Sequence, residues 1–380
     1  MDQITKTSQS AVPVQAPDSS GKTFLTIQAL RALAATMVVV HHLLTVIEGS
    51  SWRQSGHQWM GGTTGVDIFF VISGFVMMTS SRSLPRAHAA RAFLLRRFQR
   101  IAPPYWALTT LKVLLLLAVP AISMKGLGSH WHIVASYLFL PAANGGDNFP
   151  VLIAGWTLTF EMLFYLLFAA ALVFRARFRV QLISFLACMI CTVAAGGVLI
   201  HPGGPALLTV FDPIVLEFLY GVILGYAVLA NRLPRGSICL GLLVFGYVSL
   251  LWLAPYQSLW LRPIASGLPA FAVVTGAVGL EKYLRSRTPR WVTELGNSSY
   301  SLYLTHGLLM PFFAAILKKI QLTRNLAALL FLVLGTLACL AIGELFYRWF
   351  ELPMMRFFRS ARHREPQLLP SLDAANAETM

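Results

Sequence analysis

The chain has 380 residues, of which 56% are hydrophobic and only 12% charged, with a formal charge of +15 at neutral pH and a mean hydropathy of +0.66. A soluble globular domain carries about half apolar and about a quarter charged residues, so this balance excludes an ordinary soluble enzyme. The positive charge lies in short segments between apolar runs, which fits membrane topology and argues against nucleic acid as a partner.

Residues 1–22 are polar and rich in Pro and Ser, and read as a disordered cytosolic tail. No cleavable leader precedes Phe24, so the first apolar run is expected to stay as an uncleaved anchor. Runs of spanning length follow at about 24–47, 65–81, 101–122, 152–174, 180–200, 206–230, 237–254, 259–280, 296–317 and 325–350. The stretch from His130 to Pro141 is too short to span and is expected in the interface or re-entrant. Pro103-Pro104, Pro141, Pro202-Gly203-Gly204 and Pro234 mark boundaries. The expected fold is all-α and polytopic, with about ten transmembrane helices: a membrane domain over 23–359 and a second disordered cytosolic tail over 360–380.

Lys and Arg set the orientation. With the N-terminus inside, the inner loops, tails and start of the first span hold 22 of them and the outer loops 6, so the positive-inside rule places both termini in the cytosol, in an inner (cytoplasmic) membrane. Cys188, Cys191, Cys239 and Cys339 all lie in apolar runs. Packing or lipid contact is the expectation for them, with no disulfide, zinc or other metal site.

Several polar residues sit where lipid makes them costly. Arg31 and His42 are eleven residues apart in the first run, so they share a helix face about 16 Å apart along the axis. His41 points about 80° away, and helical phase alone favours His42 over it. A membrane-buried imidazole reads as functional by default, with a hydrogen bond to a neighbouring helix as the plainer alternative. Arg31 is either an anion anchor or a topological charge. Arg96, Arg97 and Arg100 open the third span, where they would bind phosphates or clamp anionic lipid head groups. Asp67 heads the second span, with Ser73-Gly74 two turns on, and either orients His42 or caps the helix.

Glu161 lies inside an apolar span with no cation within a turn, so it should seek a partner on another helix: His42 or an arginine, with Tyr165 stacked one turn along. Trp156 is an interfacial anchor or a platform for an acceptor sugar. Glu217 is an intramembrane acid suited equally to packing. Tyr303 and His306 share a face of the ninth run and are placed along an acceptor path. Glu344, Arg348 and Glu351 are spaced as a self-paired ionic ladder.

The runs IQALRALAATMVVVHH (27–42), GVDIFFVISGF (65–75), FLLRRFQRIAPPYW (93–106), WTLTFEMLFY (156–165) and SSYSLYLTH (298–306) occur in that order. Together they resemble the acyltransferase-3 family of integral membrane O-acyltransferases, in particular exopolysaccharide-modifying members of the ExoZ type that lack an appended extracytoplasmic hydrolase-like domain. The likeness covers roughly 24–355. Thr157 and Thr159 stand where serines are common.

The resemblance implies transfer of an acyl group, usually acetyl, from acyl-CoA (acetyl-CoA) as co-substrate to a hydroxyl of an exopolysaccharide, lipopolysaccharide or lipid-linked oligosaccharide. Membrane lipids are the remaining partner. His42 and Arg31 fall on the family's paired Arg/His positions, Arg97 and Arg100 on its R-x-x-R element, and Glu351-Leu352-Pro353 on its closing element. On chemical grounds His42 is the base, Glu161 and Asp67 orient or stabilise it, and the three arginines hold phosphates. No serine or cysteine stands in an evident nucleophile context, which favours direct transfer over a ping-pong route. The alternative is a transporter or flippase for a glycan or small anionic substrate, and the lack of an internal hydropathy repeat counts against it.

Overall fold

A computed structural model describes residues 24–48, 59–81, 89–119, 127–173, 178–200, 204–256, 258–320 and 325–364. The N-terminal tail, most of the tail after 359 and several loops counted for orientation lie outside the described residues. Fourteen α-helices run in order among those described: α1 Leu25–Glu48, α2 Gly65–Ser81, α3 Ala89–Ala118, α4 His130–Tyr137, α5 Trp156–Val173, α6 Phe178–Leu199, α7 Leu216–Leu229, α8 Gly236–Leu253, α9 Leu268–Gly279, α10 Glu281–Leu284, α11 Arg290–Asn297, α12 Ser299–Ile320, α13 Asn325–Phe346 and α14 Leu352–Arg364. The only strand pairing among the described residues is an isolated bridge between Asn144 and Asp147.

The protein is all-helical and multi-pass. Eight helices among the described residues are long and apolar enough to cross a membrane, against the ten expected. The other two expected runs fall on α6, whose apolar stretch is Ala187–Leu199, and on Pro263–Gly279 with Glu281–Arg287, a pair bent by 58°. Hydropathy registers the length of an apolar run and not a change in its direction. α4 is the short element expected between Ser129 and Pro141, and the Ser129 hydroxyl caps it by accepting from the His132 amide. α14 carries helix to Arg364, past the boundary set at 359.

The bend after α9 has a structural use. It swings Glu281 onto the first turn of α1, where its carboxylate accepts from the Leu25 amide at 3.0 Å, the Thr26 amide at 2.9 Å and the Thr26 hydroxyl at 2.6 Å. Arg285 closes the cluster at 3.1 Å. A carboxylate suits this place, because the first helical amides lack intrahelical acceptors and carry the positive end of the dipole.

α3 runs unbroken through Pro103-Pro104, so the span expected to begin at 101 starts more than three turns earlier, at Ala89, and carries Arg97 and Arg100 within it. Two successive prolines remove the amide donors to the Gln99 and Arg100 carbonyls, and at the next residue the Tyr300 hydroxyl donates to the Ile101 carbonyl at 2.8 Å.

α2 and α7 make the closest crossing. A Cβ at Gly74 would meet the Phe218 carbonyl, and one at Gly221 would meet the Val71 carbonyl. Small residues permit such backbone approach where lipid supplies no hydrophobic drive. Phe218 then stacks on Phe70 at 4.5 Å and on Phe164 at 4.4 Å, tying α2, α5 and α7 into one aromatic core. α8 and α13 present large apolar side chains outward, such as Phe245, Trp252 and Leu334, as lipid-facing helices should. Cys188 and Cys191 are exposed on α6, whereas Cys239 and Cys339 are buried.

Glu281→Ala should lower the stability of the detergent-solubilised protein by about 2 kcal/mol, because two amides and a hydroxyl lose a charged acceptor. Glu281→Gln should fall between the variant and the native chain in thermal unfolding followed by size exclusion. An unshifted transition in Glu281→Ala would show that the clamp contributes nothing.

Candidate active site

Within the bundle, α1, α2, α3, α5 and α12 surround a cavity of about 100 Å³. Arg31, Arg97 and Arg100 line it, as do Glu161, Tyr165 and Tyr303. Six of the ten residues singled out from the sequence thus converge on one space, from four helices. Along α2 its wall runs from Val66 to Val76, about 15 Å at 1.5 Å per residue.

Glu161 finds its partners in hydroxyls. Its Oε1 accepts from Ser73 at 3.2 Å and from the Tyr165 hydroxyl in a short hydrogen bond. Tyr165 is therefore a ligand of the carboxylate and not only a ring stacked nearby. Arg97 donates to the Ser80 hydroxyl at 2.9 Å and lies over the rings of Phe93 and Tyr165, 5.6 and 5.8 Å from their centroids. Among the described residues, neither Arg31 nor Arg100 has a carboxylate within ion-pair distance.

Glu351 joins this group against expectation. The ladder holds only between Arg348 and Glu344, at 2.5 Å. A π-turn over Tyr347–Glu351 rotates Glu351 inward, where it is buried, accepts from Ser301 at 2.5 Å, and lies in the field of Arg31 and Arg100. The helical spacing used to infer the ladder fails because a π-turn adds a residue to the repeat. At their usual charges, three guanidiniums against Glu161 and Glu351 leave one positive charge inside an apolar bundle. Such an excess is costly inside an apolar bundle and would be relieved by an anion.

His42 does not line the cavity. Its Nδ1 lies 2.8 Å from the Val38 carbonyl, and a carbonyl can only accept, so Nδ1 carries the hydrogen and Nε2 keeps a lone pair. His306 repeats the pattern at 3.3 Å from the Leu302 carbonyl. The two rings lie 5.0 Å apart, and His306 lies 5.5 Å from Tyr303. His306 is thus a neighbour of His42 and stands behind the cavity wall. Tyr303 forms that wall, with its ring 6.1 Å from Phe69 and its hydroxyl accepting from Thr157 at 3.2 Å. His41 turns away to the Trp59 carbonyl at 2.9 Å, as helical phase required.

Asp67 does not orient His42. Arg262, from the segment before α9, binds it in a bidentate pair at 2.9 and 3.3 Å. Asp67 is fully buried, and Glu217 lies against the same pair with neither oxygen hydrogen-bonded among the described residues. Arg262 thus lies in the field of both Asp67 and Glu217. The guanidinium also lies over Trp156, 5.8 Å from the ring centroid. Trp156 therefore belongs to this second polar cluster and not to the cavity lining. Sequence reasoning counted Arg262 only as an outer-loop charge. Two unpaired acids at the heads of α2 and α7, facing one cation at the lip of an apolar run, were the available signal.

With this geometry, the comparisons decide the family. The acyltransferase domain of the acyltransferase-3 family matches residues 24–344. The chain belongs to that family. It is 33% identical over 322 residues to the exopolysaccharide production protein ExoZ of Rhizobium meliloti, covering 82% of this chain and 95% of ExoZ. It is 24% identical over 368 residues to the peptidoglycan O-acetyltransferase OatA of Listeria monocytogenes, covering 87% of this chain and 55% of OatA. No solved structure matches the chain. This acyltransferase-3 protein is accordingly a multi-pass membrane acyltransferase, and the five motif runs that suggested the family supply most of the cavity wall.

Arg262→Ala should leave Asp67 buried without a counter-charge and destabilise the protein by about 3 kcal/mol or more. Asp67→Asn in the same chain should recover most of that loss in thermal unfolding. If the double variant is no more stable than Arg262→Ala, the pair is not what the arginine stabilises.

Proposed function

We propose that this acyltransferase-3 protein transfers an acetyl or similarly short acyl group from acyl-CoA to a hydroxyl of an exopolysaccharide, a lipopolysaccharide or a lipid-linked sugar precursor. The observation that carries the proposal is one intramembrane cavity with three guanidiniums, none of them in an ion pair with a carboxylate among the described residues, leading toward an imidazole in its proton-accepting tautomer. The names of ExoZ and OatA support a glycan acceptor, and that of OatA supports acetyl. The Lys and Arg bias supports an inner-membrane protein with cytosolic termini and cytosolic tails, so that Arg31, Arg97 and Arg100 face the compartment that holds acyl-CoA.

In this reading the arginines hold the donor phosphates, bidentately where geometry allows. The acyl arm extends along the cavity and presents the thioester at its Tyr303 end, where that ring must give way for His42 to reach the acceptor hydroxyl. His42 Nε2 takes the proton of the acceptor hydroxyl as its oxygen attacks the thioester carbonyl. The tetrahedral intermediate then collapses, the C–S bond breaks, and the thiolate leaves and is protonated to the free thiol. Glu161 has a positioning role through Tyr165 and Ser73, and it balances the guanidiniums when no donor is bound. Tyr303 and Trp156 lie toward the acceptor side.

Purified protein should release free thiol from acetyl-CoA when given a suitable glycan. His42→Ala should reduce turnover by about 10²–10⁴-fold, the usual contribution of a general base. Arg97→Ala should mainly raise the KM for acetyl-CoA with little loss in kcat. Undiminished turnover in His42→Ala would remove the proposed base.

A further inference from the structure

Three basic residues that the reaction above does not use are gathered where α7 and α8 meet. α7 ends in a turn built on Asn231, whose φ of +55° lets the Arg232 amide reach back to the Ala227 carbonyl at 2.8 Å. Asparagine tolerates that left-handed conformation, and a following proline stops further helix. Leu233 packs against the apolar core, and the Cys239 thiol donates to the Pro234 carbonyl at 3.4 Å. The connection between the two spans is therefore a fixed turn, on which Arg232 and Arg235 are both exposed.

The bend after α9 brings a third cation to the same place. Gly236, the first residue of α8, lies so close to Tyr283 that a Cβ there would come within 3.0 Å of its ring. Lys282 is exposed, and its Nζ lies 4.7 Å from the centroid of that ring. Arg235 and Lys282, remote in the chain, are thus the immediate neighbours of two residues that touch. Among the described residues, none of Arg232, Arg235 and Lys282 has a carboxylate within ion-pair distance. Glu281, next to Lys282 in sequence, is buried and occupied by the α1 amides and Arg285.

Membrane orientation requires only that such loops be positive. It does not require that cations from two loops be drawn together, where they repel one another unless an anion lies among them. Beside them, starting one turn into α8, runs an apolar surface on which Ile238, Leu240 and Phe245 are exposed. Tyr283 is half-exposed, and its ring has the amphipathic character suited to the head-group layer. A ligand that satisfies both surfaces has a negative head and apolar chains.

We propose that Arg232, Arg235 and Lys282 bind the head group of an anionic phospholipid, with Tyr283 beside it and the acyl chains against the outward face of α8. The guanidiniums grip the phosphodiester through paired N–H donors, and the ammonium adds a point charge. Basic pockets at the ends of membrane helices are where such head groups bind. The site is separate from the cavity and takes no part in acyl transfer.

Native mass spectrometry of the delipidated full-length protein in detergent tests this, with phosphatidylglycerol and phosphatidylcholine titrated in separate runs. The first phosphatidylglycerol should be held about tenfold more tightly than the first phosphatidylcholine. Combining Arg232→Gln, Arg235→Gln and Lys282→Gln should shrink that preference to about twofold or less. Combining Arg91→Gln, Arg356→Gln and Arg359→Gln removes the same charge from α3 and α14 and should preserve it. No preference in the native protein, an undiminished preference in the first variant, or an equal loss in both variants would overturn the site. Glycerophosphoglycerol, the same head group without acyl chains, should fail to displace the lipid; displacement at matched concentration would overturn the lipid as occupant. The three side chains are exposed, so the first variant should elute as the native protein does. If it does not, Arg235→Gln alone, expected to lose about threefold, carries the comparison.

Discussion

Guanidinium groups withdrawn from water into a lipid-bounded bundle are the constraint around which this protein is organised. An ion placed there without compensation is expensive, and the four arginines discussed above meet that cost in three ways. Arg262 is held in a bidentate pair by a fully buried carboxylate. Arg97 leans on a hydroxyl and two aromatic faces. Arg31 and Arg100 share the field of Glu351 without an ion pair to it. A saturated arginine holds helices together, whereas an unsaturated one beside a cavity has donors left for a ligand. That contrast separates the Arg262 cluster from the one that lines the cavity.

The local irregularities of the fold serve this arrangement. The π-turn at Tyr347–Glu351 turns an acid from the lipid face toward Arg31 and Arg100. The bend after α9 lets Glu281 pin the start of α1, from which Arg31 and His42 project. The glycine crossing of α2 and α7 stacks Phe218 between Phe70 and Phe164, behind the wall that carries Ser73 and Glu161. Tyr303 divides the cavity from the histidine pair, so the three guanidiniums and the two imidazoles lie on two sides of one aromatic ring.

Much of the fold was legible because the bilayer imposes a length and a polarity on each span. The runs at 24–47 and 65–81 match α1 and α2 to within about a residue. The family was legible as well, since its motif runs are the residues that line the cavity. What helical phase supports held: His41 and His42 diverge, and Arg31 faces inward. What required a partner on another helix was harder. The sequence leaves Asp67 between orienting His42 and capping its helix, yet Arg262, nearly two hundred residues away, takes its carboxylate. For Glu161 it points to His42 or an arginine, and two hydroxyls hold it instead.

Composition and the spacing of apolar runs determined by themselves that this chain crosses a membrane many times, that it is helical, and that its buried charges are few enough to matter individually. Those properties depend on transfer free energy and helical repeat, both local to each segment. Only the tertiary structure decided which buried charges meet, that Glu351 leaves its ladder, and that His42 stands behind Tyr303 instead of facing the cavity. Pairing is set by distances between helices remote in sequence, and a π-turn or a bend of 58° shifts those distances without changing the hydropathy that a reader of the sequence can see.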